Sequence, residues 1–154
     1  MPIPGSREIK FSHGGHLFAC AYNSMVQVYN FYTAESPERF HFKGHKDAVK
    51  CISWLEDDSG FVTTGTDNLL SLWRLYPGTG DGVNKQEKNP IWSFQHKKVV
   101  YSAICVYRPE NSLPLVYAAG SDKSIREIEQ ASNAGAKSSD TSNLSDRGKE
   151  LVRY

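Results

Sequence analysis

The sequence predicts an all-β protein made of three consecutive four-stranded units, the last incomplete. Three observations predict it. An Asn or Asp stands six residues before a large side chain three times: Asn23 before Tyr29, Asp67 before Trp73 and Asp122 before Ile128. The large residues recur 44 and 55 positions apart (29 to 73, 73 to 128), the spacing of a repeat architecture. Between the turn signals lie β-branched and aromatic runs of strand length, and no 3.6-residue stripe is long enough to compete.

The second unit shows each element most clearly. Gly44-His45 opens it, and residues 48–54 read as a strand. Glu56-Asp57-Asp58-Ser59-Gly60 is a turn, because these side chains bond their own backbone or tolerate its special angles. Residues 61–65 form a β-branched second strand, Thr66-Asp67-Asn68 turns the chain again, and residues 69–75 form a third strand. The fourth, 91–94, leads to Gln95-His96, where the Gly-His position recurs.

The first unit has strands at 7–12, 16–22, 25–32 and 39–42, with a turn at Gly14-Gly15. The third has strands at 99–107, 115–119 and 124–128 and no fourth. The units span about 7–43, 44–95 and 96–130 of a domain covering 1–130. Inserts at 77–90 and 108–114 lengthen two loops, which belong at the rim where long loops cost little. Residues 131–154 read as a flexible tail rich in Ser, Asn and Gly, with too little apolar surface to offset its ordering entropy. Its last six residues, 149–154, could open a helix or add a strand to a partner.

Hydrophobic residues make up 39% of the 154, and 18 Lys and Arg face 17 Asp and Glu for a net charge of +1. Such a chain has no global field to hold it on nucleic acid or an anionic membrane, and neither partner is expected. The start lacks the apolar core of a signal peptide, and no apolar run approaches the ~18 residues of a span. Cys20, Cys51 and Cys105 stand alone, which predicts reduced, mostly buried thiols in an intracellular protein.

No motif supports catalysis, a metal or a cofactor. His41 and His45 have H-x-x-x-H spacing, but it runs from a strand into a glycine turn, so the side chains diverge. Gly78 to Gly82 lacks the Lys-Ser/Thr and the helix of a phosphate-binding loop. Asp57 and Asp58 are adjacent in a turn and point apart. Arg39, Lys43, Lys46 and Lys50 cluster near the Gly-His loop, with Lys97 and Lys98 at the equivalent place one unit later. They read either as solvated loop charge or as a basic rim for an acidic protein surface.

Gly44-His45, Asp67 and Trp73-Arg74 resemble the WD repeat, the unit of β-propellers. The resemblance implies a partial propeller. It also implies that His45, Asp67 and Trp73 share a buried hydrogen-bond network that is structural and not catalytic. A Ser or Thr on the second strand usually completes that network. Two residues before Asp67 this chain has Gly65, and Thr64 and Thr66 belong to other faces.

Residues 7–12, Gly14-Gly15-His16-Leu17-Phe18-Ala19, Lys43-Gly44-His45 and Gly120-Ser121-Asp122-Lys123 are similar to a ciliary family. It comprises the cilia- and flagella-associated proteins with WD repeats followed by a long coiled coil. The similarity covers roughly residues 7–129, part of the family's second propeller. It implies a non-enzymatic scaffold of the ciliary axoneme that helps to place inner dynein arms or neighbouring complexes. Its partners would be axonemal subunits, tubulin-associated proteins or a chain completing the propeller. The alternative is a general intracellular WD-repeat adaptor in the cytoplasm. Closed propellers have ~4–8 blades, so three blades and no coiled coil imply a fragment, a truncated relative or a chain ended early. The outer faces of such a stack need a cover.

Overall fold

A computed structural model of the chain describes residues 5–37, 40–76, 89–96, 98–107 and 114–129, and the backbone of 148–153. Most of both loop inserts and the first part of the expected tail, 131–147, lie outside the described residues.

Among the described residues twelve strands form three antiparallel sheets, each with its strands in chain order. The first sheet comprises β1 (Glu8–Phe11), β2 (Leu17–Tyr22), β3 (Met25–Asn30) and β4 (His41–Lys43). The second comprises β5 (Val49–Trp54), β6 (Gly60–Gly65), β7 (Leu69–Arg74) and β8 (Trp92–Gln95). The third comprises β9 (Tyr101–Tyr107), β10 (Leu115–Gly120), β11 (Ser124–Glu129) and β12 (Gly148–Arg153).

The third sheet differs from the sequence expectation. It is four-stranded, because β12 pairs with β11 from Ser124↔Arg153 to Ile128↔Gly148. The physical reason is the free ladder of β11, whose N–H and C=O groups take the nearest chain able to extend. The closing residues are therefore a strand, and they complete their own sheet.

The first unit also departs in detail. Tyr22 pairs with Met25 across the β2–β3 turn, whereas Thr64 pairs with Leu70 and Ala119 with Ile125 in the later units. The first hairpin is thus tighter, with Asn23 at φ 47. A left-handed angle of that kind suits Asn. Asn23 shares the spacing of Asp67 and Asp122 but not their place in the turn.

The sheets stack face to face. Close approaches between them run along the first strands, β1 against β5 and β5 against β9, with β2 and β6 adding to each. Leu17, Ala19, Ala21, Val26, Val28 and Phe42 on one face of the first sheet pack on Val49, Ile52, Trp54, Phe61 and Trp73 of the second. The second sheet's other face offers Val62, Leu70, Leu72 and Phe94 to Tyr101, Val116, Ala118 and Ile128 of the third. Each fully buried large side chain here is worth about 1.5–3 kcal/mol. The residue six positions after the turn, Trp73 or Ile128, always faces the preceding sheet.

Polar ties reinforce both interfaces. Trp54 Nε1 donates to the Lys10 carbonyl at 3.0 Å, and the Asn23 carbonyl accepts from Val49 N at 2.7 Å. Asp58, at φ 54, accepts from His13 N and Gly14 N at 2.8 Å each. On the other side Thr64 Oγ1 donates to the Tyr101 carbonyl at 3.2 Å, and Cys51 Sγ to the Ser102 carbonyl at 2.8 Å.

Two faces stay open. The first sheet's outer face carries Ile9 and Phe11, about half exposed, beside a buried cluster of Phe18, Cys20 and Tyr29. Phe18 and Tyr29 stack at 5.2 Å, and Phe11 reaches both Phe18 and Phe31 at 5.6 Å. The third sheet's outer face carries Cys105 and Tyr107 on β9 and Tyr117 and Ile125 on β10 and β11. All three cysteines are free thiols. Cys20 is buried, Cys51 half-buried and Cys105 exposed, so burial is less general than the sequence implies. The reason is position, since Cys105 lies on the strand face with no sheet against it.

Candidate functional site

The turns β2–β3, β6–β7 and β10–β11 all lie at one end of the stack, with the loops that lead into β5 and β9. In the second sheet this end holds a chain of hydrogen bonds from loop to core. Asp67 in the β6–β7 turn accepts from Lys46 N at 2.8 Å and Leu69 N at 3.1 Å. Its Oδ1 lies 3.1 Å from His45 Nδ1. His45 Nε2 lies 2.7 Å from Thr63 Oγ1, which accepts from Trp73 Nε1 at 2.8 Å. The His45 and Asp67 side chains are 1% and 7% exposed.

One tautomer satisfies every group. Trp73 can only donate, so Thr63 accepts from it and turns its own proton to His45 Nε2. His45 Nδ1–H is then the donor to Asp67. The network is buried, and each of these groups has a partner within the chain.

His45, Asp67 and Trp73 thus meet through Thr63, a member that the sequence pattern leaves out. The hydroxyl comes from four residues before Asp67, not two. Strand period supplies the signal, because Thr63 and Gly65 lie on the same face of β6. Gly65 is required as it stands. A Cβ there would lie 2.6 Å from His45 Nδ1, closer than real contacts allow. Gly44 has a similar reason, since a Cβ would lie 2.6 Å from Trp73 Cη2.

The third sheet solves the same problem with other residues. Asp122 holds the place of Asp67, Gly120 that of Gly65 and Ile128 that of Trp73. Arg126, buried on β11, donates from NH1 to Asp122 Oδ1 at 3.2 Å and from NH2 to Oδ2 at 2.5 Å. Ser124 Oγ adds a bond to Asp122 Oδ1 at 2.7 Å. The guanidinium beside Asp122 holds its carboxyl well below the usual range, with a smaller upward push from burial. In the first sheet Tyr29 OH donates to Gln27 Oε1 at 2.7 Å.

The lysines turn outward. Lys43, Lys46, Lys50 and Lys98 are exposed, and Arg39 and Lys97 lie outside the described residues. Lys46 is fixed by its backbone bond to Asp67 while its side chain stays in solvent. Lys123, exposed at φ 64 in the β10–β11 turn, joins this end and was absent from the sequence-based rim. Asp47 is an exposed acid there, while Asp67 and Asp122 are engaged. Among the described residues no three His, Cys, Asp or Glu side chains gather as metal ligands.

A family model, the WD domain, G-beta repeat, matches residues 36–74, which include Gly44-His45, Asp67 and Trp73. The chain is a WD-repeat protein. Its stack of sheets is a partial WD-repeat β-propeller. It is similar to cilia- and flagella-associated protein 57 A of Tetrahymena thermophila, 38% identical over 73% of this chain and 8% of that protein. It is also similar to cilia- and flagella-associated protein 57 C of the same organism, 44% identical over 48% of this chain and 6% of that protein. The chain therefore spans less than a tenth of these relatives. In fold it matches the crystal structure of the Cps50 (Swd1) beta-propeller domain of Myceliophteria thermophila. The TM-score is 0.67 at 12% identity, over 84% of this chain and 36% of that one.

Proposed function

We propose that this WD-repeat chain is a non-enzymatic protein-interaction scaffold of the cilium or flagellum. It helps to place or anchor inner dynein arms or neighbouring regulatory complexes on the axoneme. The similarity to cilia- and flagella-associated protein 57 A over 73% of the chain carries this reading. The site chemistry agrees with it. The buried polar groups of the second sheet bond one another, which makes them a rigid mount and not reactive groups. Lys43, Lys46, Lys50, Lys98 and Lys123 project from that mount and form the rim that meets an acidic protein surface. WD-repeat propellers in general mediate protein–protein interactions.

A fluorescently tagged full chain in a ciliated cell tests the reading. The expected signal lies along the axoneme and survives detergent extraction. Signal confined to the cytosol overturns it in favour of a general WD-repeat adaptor. Replacing Lys46, Lys50 and Lys98 by Glu together should lower the axonemal signal without unfolding the chain.

A further inference from the structure

The β3–β4 connection contains a serine whose hydroxyl closes the edge of the first sheet. The β3–β4 ladder stops at Gln27↔His41. Beyond it the connection itself supplies the partners of β3. The Glu35 carbonyl accepts from Asn30 N at 2.9 Å, and Ser36 Oγ donates to the Val28 carbonyl at 2.7 Å. Asn30 Oδ1 accepts from Tyr32 N and Thr33 N at 2.9 and 3.1 Å, and Ala34 turns the chain at φ 57. Phe31 to Glu35 and Pro37 are exposed, and Ser36 is half-buried. A segment held by hydrogen bonds at the surface opens at low free energy. The sequence adds a second signal. Of the seven prolines, Pro37 alone follows a serine or threonine. Pro37 offers no N–H, so an enzyme that grips the residue after its target serine by a backbone bond rejects this site. One with an apolar pocket there accepts it.

We propose that Ser36 is a phosphorylation site, modified by a proline-directed protein kinase with ATP as donor. Ser36 Oγ attacks the γ-phosphorus, the bond to the ADP oxygen breaks, and the hydroxyl proton passes to the kinase's base. The products are phosphoserine and ADP. The modification acts on the sheet edge in two ways. It removes the proton that Ser36 gives to the Val28 carbonyl, and it sets a charge of about −1.5 to −2 against that carbonyl at pH 7. The connection then has to leave β3. Next in the chain come Phe40, whose N–H bonds the Pro37 carbonyl at 2.8 Å, and the three residues of β4. Phe40 and Phe42 are buried in the core shared with the second sheet. β4 ends at Lys43, directly before Gly44-His45, so loosening at Ser36 runs along the edge strand to the lysine rim. The site lies on an edge, and a sheet stacked on either face leaves it open. The inference goes beyond the scaffold reading, and its test needs neither a cilium nor a partner.

The full chain is incubated with magnesium, ATP and either of two purified proline-directed enzymes, a cyclin-dependent kinase or a mitogen-activated protein kinase. Peptide mass spectrometry then locates the phosphoryl group. The expected product carries it on Ser36. Pro37→Ala keeps the hydroxyl and should slow labelling at least tenfold. Amide exchange reads the consequence. In the phosphorylated chain Asn30, Phe40 and the residues of β4 should exchange at least tenfold faster than in the unmodified chain, with β6 and β7 unchanged. Ser36→Ala loses the bond without gaining charge, so its exchange should fall between the two. Far-UV circular dichroism checks folding. If Ser36→Ala is unfolded, wild type before and after labelling, with Pro37→Ala, carries the test. Absence of label on Ser36 with both kinases overturns the proposal. Labelling that Pro37→Ala leaves at full rate, or a phosphorylated chain whose edge exchanges as before, overturns it as well.

Discussion

The Arg126 guanidinium stands in the third sheet where the His45 imidazole stands in the second. Each lies against the glycine that precedes the turn by two residues. A Cβ on Gly120 would be 3.2 Å from Arg126 NH1, and one on Gly65 2.6 Å from His45 Nδ1. Each also binds the turn Asp, at 2.5 Å and 3.1 Å at closest. The donor comes from β11 itself in one case and from the loop before β5 in the other. A repeat that lacks the His can therefore still fasten its turn, and with Ala118 in the place of Thr63 and Ile128 in that of Trp73 the third sheet has neither the indole donor nor its hydroxyl acceptor.

Thr63 is the hinge of the second sheet's network. Thr63→Val would leave the buried Trp73 N–H and His45 Nε2 without their shared oxygen. The expected loss is about 2–3 kcal/mol, since each stranded polar group costs ~1–3. Thr63→Ser should lose less than half of that. Urea denaturation midpoints of the two variants check the difference.

Gly65→Ala and Gly120→Ala should both destabilise, by about 1–3 kcal/mol each, through overpacking against a polar pair. The cost at Gly65 should be the greater, because its neighbours are rings and carboxylate held by several bonds. Arg126 is a longer side chain and can give way further. Thermal melts of both single variants decide the order.

Stability should depend on pH through Asp122. Its carboxyl is depressed in the fold by Arg126 first, so the unfolded chain takes up the proton earlier as pH falls. The contribution is complete above the ordinary Asp value of about 4 and is lost as pH drops through the folded value. Melting temperatures of wild type and Asp122→Asn should differ at pH 7 and converge toward pH 2. A constant difference across that range would refute the assignment.

Asp58 ties the first two sheets at the end away from the lysines. Burial pushes its carboxyl up, but the N–H groups of Gly14 and His13 outweigh that and lower it overall. Asp58→Ala should cost about 1.5–3 kcal/mol, the range for hydrogen bonds to a charged acceptor. Amide exchange at His13 and Gly14 should accelerate in the variant before exchange in β2 does.

The strands of the first two units and the first three strands of the third were legible because each is short, β-rich and bounded by turn residues. Residues 61–65 and β6 at Gly60–Gly65 differ by one position. Three features were not legible. β12 was hidden because its pairing to β11 is long-range, and six residues carry no periodicity of their own. Thr63 was passed over for its neighbours, because the expected spacing was counted along the chain and not along one face of the strand. Arg126 looked like an ordinary strand charge, since nothing local shows that an arginine will curl back four residues onto Asp122. Asn23 misled in the opposite direction, sharing a spacing without sharing the turn geometry.

The second sheet touches both of its neighbours, and each strand pairs only within its own sheet. Damage to an outer sheet can therefore fray one end while the remainder persists. Damage at Phe61 or Leu70 severs the molecule in the middle, and the surviving pieces each lose the surface that taught them where to sit.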